Sequence, residues 1–165
     1  MTIQRTIDRL ERVEEALVAI LLTVMLATII LQVLARYVFN LPLAWTEELA
    51  RYLFIWLIFL GSSQAMRWGN HIAIGMVADR LPDILARISA LIVHLLIAAF
   101  LVVLIFMGWR IAMTVAPVMS VAMKMPLMIV YLPLPIAGAV MLVRTLCTIV
   151  RIIRHGAPEV GVKTL

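Results

Sequence analysis

The sequence predicts an all-α integral membrane protein with four transmembrane helices, both termini cytoplasmic, and short interfacial amphipathic helices. Three observations predict it. The 165 residues are 65% hydrophobic, where a soluble domain is about half apolar. The apolar residues fall in runs close to the roughly 20 that cross a hydrocarbon core. The 14 lysines and arginines flank those runs and form no free basic stripe with interleaved aromatics. The formal charge of +5 therefore reads as membrane-loop charge and gives no support to nucleic-acid binding.

The first span is expected over 16–35, which carries no charge. It is too long for a signal core and no small-residue cleavage site follows, so it reads as a retained helix. The second has a charge-free core from Tyr52 to Met66. That core is too short alone, so the helix is expected over 43–66, with Glu47, Glu48 and Arg51 in its first turns. The third is expected over 88–109, between Arg87 and Arg110. The fourth is expected over 125–150, with Arg144 snorkelling to the interface. Residues 1–155 then form one four-helix domain, and 156–165 form a mobile tail.

Orientation follows from the basic residues. Arg5, Arg9, Arg12, Arg67, Arg80, Arg87, Arg144, Arg151, Arg154 and Lys163 lie on one side, against Arg36, Arg51, Arg110 and Lys124 on the other. That bias favours cytoplasmic termini. Residues 1–15 and 70–87 alternate charges with apolar residues at helical spacing, as helices lying on the membrane surface do.

The charged stretch between the first two spans carries the most information. Asn40 and Pro42 suit a tight turn. Glu47 and Arg51 are spaced as a helical ion pair, acid first. Glu48, Tyr52 and Trp56 form a second stripe one residue round. An interfacial belt with Trp45, Tyr37 and Tyr52 at headgroup depth is one reading; a partner subunit or an interhelical polar cluster is another. Two adjacent acids call for more than one arginine, and Arg36 is the natural second counter-charge. On the first span Thr28, Gln32 and Arg36 form one polar face, which in lipid faces protein. At the far end of the second span, Gly61, Ser62, Ser63, Gln64 and Ala65 suit close helix packing, within the chain or with a partner. Arg67, Trp68 and His71 follow as an interfacial belt.

His94 reads as a satisfied polar residue. A haem would need a second histidine at membrane depth, and a relay would need an acid. Pro133 and Pro135 are expected to kink the fourth span. Cys147 is the one cysteine, so no intrachain disulfide forms. No catalytic, cofactor or metal-binding motif is present. The spans also lack the repeats and midplane polar groups of a self-sufficient carrier. The chain therefore reads as an accessory membrane subunit, and not as an enzyme.

The stretch Arg36–Tyr52, R-Y-x-F-N-x-P-L-x-W-T-E-E-L-A-R-Y, followed by Trp56, Gly61, Ala65, Arg67 and His71, resembles the small membrane subunit (DctQ type) of tripartite ATP-independent periplasmic (TRAP) transporters. The resemblance implies a small permease subunit of a sodium-coupled importer of organic acids, such as a dicarboxylate or a sialic acid, in the bacterial inner membrane. Its implied partners are a large DctM-type membrane subunit, which holds the substrate and sodium sites, and a periplasmic DctP-type binding protein. The small subunit would brace the large one as a separate polypeptide, with membrane lipid against its remaining faces and no cofactor of its own. Arg36, Asn40, Pro42, Trp45, Glu47, Glu48, Arg51, Tyr52, Trp56, Gly61, Arg67 and His71 are then partner-interface or structural signature residues. A self-assembling four-helix exporter is the alternative, but it needs an acid within the first span, and 16–35 has none. A haem or redox protein is disfavoured by the shortage of membrane histidines and cysteines.

Cysteine-accessibility labelling of intact cells tests the orientation. The account expects a cysteine added after His155 to react only once the inner membrane is permeabilised, and labelling from outside would reverse the assignment.

Overall fold

Hydrocarbon supplies no hydrogen-bond partners, so a chain this apolar must satisfy its backbone internally, and helices do so. The structure is a computed structural model. It describes the backbone of residues 2–69 and 83–155, and the side chains of 12–66 and 84–154. The long helices are α1 (Thr2–Tyr37), α2 (Ala44–Gly69), α3 (Asp83–Thr114) and α5 (Pro133–His155), with one turn of helix, α4 (Met128–Tyr131), before the last. Four helices are long and apolar enough to cross a membrane, the fourth made by α4 and α5 together. The surface helix expected over residues 1–15 has no break of its own, because α1 runs without interruption from Thr2. Most of the surface helix expected over 70–87 lies outside the described residues.

The long helices pack in a row, in the order α1, α2, α5, α3. Among the described residues the backbones of α1 and α3 do not come together, so the row does not close into a ring. At one end α1 and α5 also meet, where Arg144 bonds both Glu14 and Ser63.

Two kinds of seam hold the row. From Arg12 onward, the residues of α1 that are not exposed are Glu14, Val18, Leu21, Met25, Thr28, Gln32 and Ala35. Their alternating spacing of four and three is the coiled-coil repeat, which keeps a narrow seam against one neighbour. That neighbour is α2. Thr28 and Gln32 thus face helix two. The hydroxyl of Thr28 also donates to Val24 O at 2.7 Å.

Small residues make the α3–α5 seam. Ala86, Ala90, Ala98 and Ala112 are buried on α3, and small side chains let helix axes approach. At Gly108 an added methyl would lie 2.9 Å from Leu134 Cβ and 3.2 Å from Pro135 Cδ; at Gly138 it would lie 3.0 Å from Ile105 Cγ1. Each glycine therefore receives a side chain from the opposite helix. Leu101, Ala137 and Met141 form the core, with Phe59 and Met66 of α2 packed against it.

The fourth span is interrupted at the prolines: α4 ends at Tyr131, Pro133 is the first residue of α5, and Pro135 lies in the same turn. Pro133 brings no N–H for the carbonyl four residues before it. Leu132 before it stays in helical geometry, with φ −55° and ψ −32°.

Gly108→Ala should lower stability by about 1–3 kcal/mol, the cost of overpacking a tight contact. Gly61→Ala, whose added methyl meets nothing within 4 Å, should leave it unchanged or raise it slightly. Thermal unfolding in detergent micelles measures both, and a Gly108→Ala melting point equal to that of the parent would contradict the seam.

Candidate functional site

The signature residues gather at the α1–α2 connection and along α2. Asn40 ends the first helix with φ 53°, a left-handed geometry that asparagine tolerates better than most residues. The reversal lets Leu41 N–H reach Ala35 O at 2.9 Å. Pro42 and Trp45 follow on the exposed surface. Thr46 is fully buried and its hydroxyl donates to Leu43 O at 2.7 Å, closing the start of α2.

The two adjacent acids then diverge. Glu47 pairs with Arg51 at 3.5 Å, and both side chains are mostly exposed. Such a pair contributes little to stability. Glu48 turns into the protein. Its carboxylate accepts the backbone N–H of Val121 at 3.2 Å, Ala122 at 2.9 Å and Met123 at 2.8 Å, and the hydroxyl of Tyr52 at 2.7 Å. Three converging amides form an anion-binding concavity, and here the protein's own carboxylate fills it. Glu48 needs no arginine, contrary to the expectation of a second counter-charge. Arg36 is exposed and pairs with neither acid among the described residues.

The loop that Glu48 holds is itself ordered by hydrogen bonds. Ser120 N–H donates to Met125 O and Leu127 N–H to Val118 O, both at 2.9 Å. The buried Ser120 hydroxyl accepts Met125 N–H at 3.2 Å. Lys124, with φ 55°, turns the chain back.

Trp56 makes the next tie. Its indole N–H donates to Ile129 O at 3.1 Å. Ile129 precedes Pro133 by four residues, so its carbonyl is the one whose helical donor the proline removes. The indole replaces that donor. Near the other end of α2, Ser63 is fully buried. Arg144 of α5 donates to its hydroxyl at 2.9 Å, to its backbone carbonyl, and to Glu14 of α1 at 2.5 Å. Arg144 therefore pairs inside the protein and does not snorkel. At the same end Arg87 of α3 bonds the Ile153 carbonyl of α5.

Glu48, Tyr52, Trp56 and Ser63 thus share one side of α2 and fasten it to the loop, α4 and α5. Gly61 is open on its outer side, and Ser62 and Ala65 are exposed. The small-residue segment is divided: Ser63 and the Gln64 amide nitrogen are buried within the chain, and Ser62 and Ala65 are not. The side chain of Arg67, and His71 entirely, lie outside the described residues. His94 is buried on α3, with Nδ1 bonded to Ala90 O at 2.8 Å and Nε2 without a partner. The satisfied histidine expected there is satisfied at one nitrogen only. Among the described residues no cluster of three or more metal-ligating side chains occurs.

Comparison with known proteins places this geometry. Residues 10–155 match the family model described as tripartite ATP-independent periplasmic transporters, DctQ component. The chain belongs to this family. The family is one of transporter components and not of enzymes, and its members here include several small permeases. A sialic acid TRAP transporter small permease protein of Vibrio cholerae is 34% identical over 80 residues, 48% of this chain and 46% of the relative. The sialic acid TRAP transporter permease protein SiaT of Haemophilus influenzae is 33% identical over 101 residues, 61% of this chain and 16% of the relative. An isethionate TRAP transporter permease protein, DctMQ, of Oleidesulfovibrio alaskensis is 36% identical over 107 residues, 62% of this chain and 16% of the relative. The matched stretch thus spans less than half of each relative. The chain is a multi-pass membrane protein of the TRAP small-permease type.

Glu48→Lys should release the loop at 121–123 and lower the melting temperature well beyond any effect of Glu47→Lys on the exposed pair. Trp56→Phe, which strands the Ile129 carbonyl, should cost about 1 kcal/mol. Thermal unfolding with limited proteolysis checks this; equal effects of the two glutamate variants would contradict the assignment.

Proposed function

We propose that the chain is the small accessory subunit of a sodium-coupled, binding-protein-dependent importer of organic acids in the bacterial inner membrane. In this reading it braces a large DctM-type permease subunit that holds the substrate and sodium sites, and a periplasmic DctP-type protein delivers the solute. Both termini face the cytoplasm. The relatives named as small permease proteins of sialic acid and C4-dicarboxylate TRAP transporters support a carboxylate as cargo.

The observation that carries the reading is the open row of helices. Among the described residues the four spans pack side by side, and the two edge helices, α1 and α3, do not come together. The charged side chains that enter the row, Glu14, Glu48 and Arg144, are engaged within the chain. A row with its charges already answered suits a brace better than a conduit. The exporter alternative gains two acids at the start of the first span, because Glu14 and Glu15 lie within it. Arg144 already holds Glu14 at 2.5 Å, and Glu15 is exposed, so neither is an acid buried within the span.

Co-expression with a large permease subunit and a binding protein tests the proposal. We expect the chain to co-purify with the large subunit, and vesicles holding all three components to accumulate a carboxylate down a sodium gradient. Vesicles with this chain alone should accumulate nothing. Uptake or proton-coupled efflux by the chain alone would overturn the reading.

A further inference from the structure

Of the four spans, α2 has the lowest hydropathy, and one face of it is nevertheless open on the surface. Its exposed surface forms one continuous stripe along the helix: Glu47, Arg51, Phe54, Ile58, Ser62 and Ala65. One end carries the ion pair, the middle two large apolar side chains, and the other end small residues. Gly61 lies beside the small end, where an added methyl would meet nothing within 4 Å. The chain's own packing therefore does not require glycine there. The bare surfaces of the other spans look different. Leu26 and Ile30 on α1, Leu96 and Val103 on α3, and Val143 and Leu146 on α5 are large aliphatic side chains, suited to acyl chains.

Lipid tails gain nothing from a shallow strip of glycine, serine and alanine, whereas a helix backbone does, because small residues let it approach closely. The outer ion pair would sit at the rim of such a contact, where a polar margin is usual. The chain's own length points to the occupant. In the two long permease relatives, the segment matching this chain is 16% of the protein. The remaining polypeptide is tethered to that segment and is by far the largest body available to cover it.

We propose that the α2 stripe from Glu47 to Ala65 is the seat of a transmembrane helix of the large permease subunit. This rests on the accessory-subunit reading above and adds the face through which the two bodies meet. The surfaces of α1, α3 and α5 are left to lipid.

A photo-crosslinking amino acid placed singly at Ile58, Ser62, Leu26 or Val143 tests the proposal, in membranes that also contain a tagged large permease subunit. Ile58 and Ser62 should yield adducts with the tagged subunit, and Leu26 and Val143 should not. In parallel, Ser62→Trp should reduce recovery of the large subunit about tenfold, while Val143→Trp leaves it unchanged. Both side chains point away from the chain's own core, so melting temperatures should match the parent. Adducts from Val143 or Leu26 without any from α2 would overturn the proposal. So would α2 adducts with a second copy of this chain, or no adducts from α2 while the unaltered chain still co-purifies. If the unaltered chain recovers no large subunit, the accessory-subunit reading itself fails, and this face falls with it.

Discussion

Hydrocarbon gives a polar group nothing to bond with, and the arrangement of this protein follows from how α2 meets that constraint. The helix brings a carboxylate, an indole N–H and a serine into the fold on one side. Each is answered by a different element: the amides of the loop at 121–123, the carbonyl of Ile129, and the guanidinium of Arg144. The answers are complementary in kind. An anion meets amides, a donor meets a carbonyl freed by proline, and a hydroxyl meets a cation. Because the three contacts sit at successive levels along α2, they fasten both the loop at 121–123 and the fourth span that follows it.

The same constraint explains why the row stays open. α1 needs only a narrow seam, so its repeat of four and three commits it to α2 and leaves the rest of its surface apolar. α3 is committed to α5 through Gly108 and Gly138, whose missing side chains leave room for those of the other helix. α1 thus packs mainly on α2 and α3 mainly on α5, while α2 and α5 each pack on two long helices. A closed bundle would demand a second seam on α1 and α3, and their exposed residues are instead large aliphatics.

The spans were legible because a run of apolar residues has few alternatives in a chain of this composition. The stripe of Glu48, Tyr52 and Trp56 was legible from helical spacing alone. Its target was not. Glu48 binds backbone amides at 121–123, and backbone amides leave no trace in residue type. Arg144 misled for a related reason: near a helix end it looks free to reach water, and its true partner, Glu14, lies 130 positions away. Pro133 and Pro135 signal a disturbance in the fourth span, and its interruption falls at Pro133. Arg36 appeared to owe Glu48 a counter-charge only because the amide cradle was invisible. The resemblance at Arg36–Tyr52 pointed to the family, while the physical tasks of Asn40 and Thr46 within it needed coordinates.

The claim that a carboxylate of α2 holds the loop leading into the fourth span is tested most directly by amide hydrogen exchange on the chain in a native bilayer. The amides of Val121, Ala122 and Met123 lie in a loop outside any helix, and Val121 is among the most exposed apolar residues. The account predicts that all three exchange slowly, like helical amides, because a carboxylate holds them. Exchange at the rate of an unstructured loop would mean that the carboxylate is not there, and the account would be wrong at its centre.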